Sequence, residues 1–143
     1  MTAFLLDVNV LIALIDPLHV HHETADKWFS AIGKRSWATC PLTENAVLRI
    51  VGHSRYPNSP GTPAVVAEVL AELLEVPGHV FWPDDISLLD QRIMDFGRLL
   101  NARQVTDSYL LALACTHNGQ FATFDRHVIT DAVLGAEDAL HLI

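Results

Sequence analysis

Four acidic residues stand at positions where carboxylates carry chemistry. Asp7 ends the apolar run at the start of FLLDVN, Glu44 lies in PLTEN, Asp107 is the second residue of TDSYLLALA, and Asp125 follows the largely apolar FATF of FATFDRH. A carboxylate at the end of a buried strand costs several kcal/mol unless it is paired, hydrogen-bonded or bound to a metal. Taken singly, each has an ordinary explanation. Asp and Glu are favoured at helix starts, where they meet unpaired N–H groups and the positive end of the helix dipole. Thr106 suits a cap ahead of Asp107, and Asn9 a cap for a helix following Asp7. Their joint placement says more. Carboxylates that converge repel one another, raise each other's pKa and destabilise the fold unless a cation sits between them. Oxygen-only donors select Mg²⁺ or Mn²⁺, with waters completing the octahedron.

The acids converge only if the elements between them are laid out correctly. Residues 3–8 read as a buried strand and 9–15 as a helix opening directly from it. Residues 23–32 set Ala25, Trp28, Phe29 and Ile32 on one helical face, with Gly33 as the stop. A second strand over 36–39 precedes a helix over 43–51, and the Pro-rich stretch 53–63 reads as an exposed loop. Pro63 then opens a helix to residue 74, ended by Pro77-Gly78, and 79–82 is a third strand. Helices over 87–100 and 107–117, a fourth strand over 120–124 and a last one over 140–143 complete the chain. Strands that are apolar on both faces and alternate with helices predict one α/β domain over residues 1–143. Its centre is a parallel sheet of four to five short strands with helices on both faces. Ligands in such folds bind beyond the carboxyl ends of the strands, where Asp7 and Asp125 fall.

Composition narrows the function classes. Half of the 143 residues are hydrophobic and they are spread along the chain, which excludes a disordered polypeptide. The apolar runs stop early, at Asp16 and at Thr116-His117, so no membrane span is expected. Cys40 and Cys115 form no CxxC, and MTAFLLD has no basic leader; both fit a cytoplasmic protein that begins at its mature start. A net charge of −8, from 17 acids against 9 Lys and Arg, argues against a broad nucleic-acid-binding surface and suits a basic protein partner. It does not argue against a site, because divalent cations invert the local field.

The order hhhDxN from Phe4 to Asn9, a helical Glu44, TDSYLLALA from Thr106 and FATFDRH from Phe121 resembles the PIN domain. More narrowly it resembles the VapC-like ribonuclease toxins of bacterial toxin–antitoxin pairs. The resemblance covers nearly the whole chain, and TD…TFDR is its most telling part. It implies an acidic quartet of Asp7, Glu44, Asp107 and Asp125, with Asp7 and Asp107 holding Mg²⁺ or Mn²⁺ most directly. Thr123 matches a hydroxyl position beside the last acid, and Asn9 the polar residue after the first. It further implies hydrolysis of RNA phosphodiester bonds, a homodimer and inhibition by a cognate antitoxin. Glu44 or Asp125 would take the proton from the attacking water. Glu68 and Asp84 are alternatives to Glu44. Arg126 is the preferred guide for RNA phosphates, ahead of Arg92, Arg98 and Arg103.

Other features read more plainly. His19, His21 and His22 in HVHH lack a second ligand cluster and form a turn leading into the next helix. Trp28 and Trp37 read as core, Phe81-Trp82 as a strand end, and Val65, Val69, Leu70 and Leu73 as core or dimer interface. No GxxxxGK[ST] or GxGxxG supports a nucleotide-binding enzyme. DVNV also resembles the DxDx[VT] opening of haloacid-dehalogenase-type phosphatases, but Asn9 stands where their general acid would be and cannot donate a proton as one. A binding module with a silent site is the non-enzymatic alternative.

Overall fold

The computed structural model describes residues 2–143; Met1, the first residue of the expected domain, lies outside the described residues. The elements run β1 (Phe4–Leu6), α1 (Val8–Ile15), α2 (His22–Ala31), β2 (Trp37–Thr39), α3 (Pro41–Val51), α4 (Pro63–Leu74), β3 (His79–Phe81), α5 (Gln104–Thr116), β4 (Gln120–Thr123) and β5 (Leu140–Leu142). All five strands pair in parallel, in the order β3-β2-β1-β4-β5. Order reverses at β1, so the crevice between β1 and β4 is a topological switch point, where α/β sheets bind ligands. Register places Leu6 opposite Ala122, which sets the next residues, Asp7 and Thr123, side by side at the carboxyl edge.

Alternation along each strand divides the core in two. Leu5, Ala38 and Phe121 face Leu110, Leu111 and Leu113 of α5. Leu6, Trp37 and Ala122 face Val10 and Leu11 of α1, Phe29 of α2, Val47 of α3 and Leu70 of α4. Each fully buried Val or Leu contributes about 1.5–3 kcal/mol, so both faces hold the site's scaffold firmly. Gly78, at φ 101°, enters β3 where any side chain would strike the Lys34 carbonyl. At the outer strand β5, the His141 ring packs 4.9 Å from Phe4, and its Nε2 accepts the Trp28 indole N–H at 3.0 Å.

The α/β class, the parallel sheet and helices on both faces match expectation; several local readings do not. The expected helix over 87–100 is a series of turns ending in a short 3₁₀ segment, Phe96–Arg98. Its polar side chains bind the local backbone instead: Ser87 Oγ accepts Leu89 N–H at 3.0 Å, and Asp90 Oδ1 accepts Arg92 N–H at 2.9 Å. Met94 is meanwhile drawn into the core and bridges Val133, which fixes an irregular path. The loop over 53–63 is exposed as expected, and Asp16 pins it to the end of α1 by accepting Tyr56 O–H at 2.5 Å and Asn58 Nδ2–H at 3.1 Å. In the α4 stripe Val66, not Val65, is the buried member beside Leu70. Trp28 is only half-buried, whereas Trp37 is fully so. His22 Nδ1 lies 2.6 Å from the Ala13 carbonyl, in keeping with a structural turn at HVHH. Among the described residues no helix is long and apolar enough to cross a membrane.

Candidate active site

Asp7, not Asn9, is the N-cap of α1: the helix opens one residue earlier than expected, at Val8. Asp7 Oδ1 accepts Val8 N–H at 2.7 Å, and its Oδ2 accepts the Thr123 hydroxyl at 2.7 Å. That hydroxyl in turn accepts Asp125 N–H at 3.0 Å. One fully buried threonine on β4 therefore fixes both acids at the strand ends. Burial pushes the Asp7 carboxyl above its ordinary range; the Thr123 and Val8 bonds oppose this, and the charge on Asp125 adds to it.

Asp107 reaches the same place from the other face of the sheet. It lies in the first turn of α5, which begins at Gln104 with Arg103 in the cap position, so Thr106 is not the cap. Gln104 draws the start forward: its amide donates to Arg98 O and accepts Leu100 N–H. Burial first, then the charges on Asp7 and on Asp125, push the Asp107 carboxyl up to about 6. The three acids thus sense one another, as expected of an anionic cup. Asp107 and Asp125 line a cavity of about 310 Å³, with Arg103, Gln104, His127 and Ile129 among its other walls.

Glu44 is held differently. Its Oε2 accepts the Thr39 hydroxyl at 2.6 Å, and His79 Nε2 lies 2.8 Å from the same hydroxyl. Its charge acts on His79 and is not among those acting on Asp7 or Asp107. The structure therefore brings three members of the quartet together and sets Glu44 in a network across β2 and β3. Neither alternative replaces it: Glu68 is exposed on α4, and Asp84 lies beside Tyr109 and Cys40.

Asn9 is exposed in the first turn of α1. Arg126 is exposed on the turn after β4 and does not line the cavity. Arg92 and Arg98 are paired with Asp90 and Asp95. Arg103 lies one helical turn before Asp107, a spacing that the sequence already offered. His127 had no signal beyond its place two residues after Asp125.

The donors suit a hard cation. All are oxygens, and burial and mutual repulsion raise two of them, a cost that a divalent ion removes. Among the described residues, no three His, Cys, Asp or Glu side chains stand close enough together to hold a metal ion directly between them. An ion that keeps several waters does not need one, since water bridges carboxylates that do not meet. Asp7, Asp107 and Asp125 are the carboxylates that could share such an ion through its waters.

Residues 4–132, nearly the whole chain, match the family model of the PIN domain. The chain belongs to the PIN-domain family. Among similar proteins, this PIN domain is 46% identical to Ribonuclease VapC44 of Mycobacterium tuberculosis over 92% of each chain. It is 42% identical to Ribonuclease VapC39 of the same organism, over 98% of this chain and 100% of the relative. A crystal structure of VapBC2 from Rickettsia felis, bound to a DNA fragment from their promoter, superposes with a TM-score of 0.52. It covers 87% of this chain and 89% of that one at 10% identity, a likeness of fold. The DVN opening accordingly belongs to the PIN pattern and not to the haloacid-dehalogenase one.

Proposed function

We propose that this PIN domain is a divalent-metal-dependent endoribonuclease, the toxin of a toxin–antitoxin pair, with Asp7, Asp107 and Asp125 as its acidic centre. The observation that carries the reading is the charge coupling of three acids, distant in sequence, at the β1–β4 switch point. The VapC names of relatives spanning the chain support the ribonuclease and toxin parts, and the VapBC fold neighbour supports a cognate antitoxin.

Asp7 and Asp107 would hold Mg²⁺ or Mn²⁺, with Asp125 beside them and Glu44 acting through water. When bound, the ion supplies positive charge against the phosphate and makes a water more acidic. The chain's own groups do the remaining work. The Thr123 hydroxyl locks the Asp7 carboxylate in place. Asp125, exposed in the cavity lining, would accept the proton of an attacking water. Asn9 and Arg126 offer N–H donors to the RNA backbone at the rim. Exposed Leu18, Val20 and Leu100 leave apolar surface for the antitoxin and for a second copy in a homodimer. The net charge of −8 suits a basic antitoxin segment. The place of action would be the cytoplasm, as befits a toxin that cuts RNA.

The test is cleavage of single-stranded RNA by purified protein in chelator, and after Mg²⁺ or Mn²⁺ is restored. Cutting should need the ion and fall at least about 100-fold in Asp7→Asn, the scale of transition-state charge stabilisation by a metal. Metal-free cutting, or wild-type rates from Asp7→Asn, would overturn the reading.

A further inference from the structure

The cavity beside the acids has a composition that metal binding does not explain. Asp107 and Asp125 form one side, while Arg103, His127 and Ile129 bring cationic, donor and apolar character to the rest. Arg103 shares this cavity with two carboxylates yet makes no ion pair with either. Among the described residues the pairs are Lys27–Glu23, Arg92–Asp90, Arg98–Asp95 and His117–Asp85. Its guanidinium is therefore free for a planar, bidentate acceptor such as a phosphodiester.

The backbone carrying these groups is fixed in advance. Arg103 N–H donates to Asn101 Oδ1 at 3.0 Å, and Gln104, only 5% exposed, ties the preceding turn through Arg98 O and Leu100 N–H. On the other wall, His127 N–H donates to Asp125 Oδ1 at 2.8 Å. Preorganised donors lose less freedom on binding. Ile129, 45% exposed, supplies an apolar wall for a ribose or base. At about 310 Å³ the space lies at the small end of ligand pockets, too small for a duplex.

We propose that this cavity seats the nucleotide bonded to the scissile phosphate, with Arg103 and His127 holding its phosphate and Ile129 covering its sugar or base. The inference rests on the nuclease reading and deepens it. A single nucleotide must leave its neighbours to enter, so the substrate is single-stranded or looped RNA, whose bases can be splayed apart. Arg103, more than Arg126, is the principal phosphate-binding arginine.

The experiment compares Arg103→Gln, Arg103→Lys, His127→Gln and, as a charge-matched control, Lys34→Gln. Lys34 is exposed just before β2, at the opposite end of the sheet from the acids. Loss of one charge-assisted phosphate contact should raise KM about tenfold in Arg103→Gln, with kcat changed less. In an Asp7→Asn background, the same substitution should weaken binding of a fluorescent single-stranded RNA about tenfold. The slope of log affinity against log salt should shrink by about 0.7. Arg103→Lys should retain part of the affinity and His127→Gln should lose less, while Lys34→Gln should stay within about twofold, as expected of a screened surface charge. Wild-type binding by both Arg103→Gln and His127→Gln would overturn the proposal, as would an equal loss from Lys34→Gln. Should the wild-type protein leave RNA uncut, the nuclease reading fails separately, and the binding arm still decides the cavity's role.

Discussion

Replacing Asp107 with Asn removes one charge from the cup and leaves its shape nearly unchanged. In the folded protein this carboxyl titrates at about 6 instead of 3.8, through burial and the charges on Asp7 and Asp125. Such a rise corresponds to about 3 kcal/mol, which solvent screening at a half-buried carboxylate reduces to about 1–2 kcal/mol. The folded state binds this proton more tightly than the unfolded one, so from pH 3.8 to about 6 it carries more protons. Stability therefore falls as pH rises through that window, and the cost is complete above it. Asp107→Asn escapes the cost. In chelator at about pH 7.5 the variant should melt roughly 3–6 °C above wild type, and near pH 4 the two should converge. Added Mg²⁺ should raise the wild-type midpoint more than the variant's, because only the wild type keeps the full donor set. Thermal melts followed by circular dichroism read all three comparisons. A variant melting at or below wild type in chelator at neutral pH would refute the claim that these acids oppose folding until an ion is present.

Two further outcomes follow from the same geometry. Thr123→Val keeps the side-chain shape but removes the hydroxyl that binds Asp7 and accepts Asp125 N–H, so kcat should fall about 10- to 100-fold while the circular dichroism spectrum is unchanged. Glu44→Gln should slow cleavage less than about tenfold, because Glu44 answers to Thr39 and His79 and not to the other acids; a loss equal to that of Asp7→Asn would place Glu44 at the centre.

The legible part of the site was the part tied to element ends. Asp7, Asp107 and Asp125 each sit where a strand stops or a helix starts, and a parallel sheet brings such positions to one edge. Glu44 also sits at a helix start, but its partners Thr39 and His79 come from two other elements, which no local pattern announces. In sequence Arg126 is preferred to Arg103 because the resemblance places it at the rim of the site. The earlier start of α5 at Gln104 brings Arg103 into the cavity wall instead. The stretch 87–100 has apolar residues at loosely helical spacing, but Ser87 and Asp90 take up its backbone N–H groups first.

The indole–imidazole bond between Trp28 and His141 fastens the outermost strand on one side of the sheet to a helix, and it works only while Nε2 of the imidazole is bare. Burial already holds that ring below its usual 6.5, so the contact is intact at neutral pH and fails as acid charges the ring. β5 would then be the first strand to peel, and amide exchange at residues 140–142 should accelerate before that of β2. Its departure would uncover the edge of β4, where Leu142 is now the register partner of Thr123. Mild acid would thus reach the hydroxyl that holds the Asp7 carboxylate while the rest of the sheet still stood.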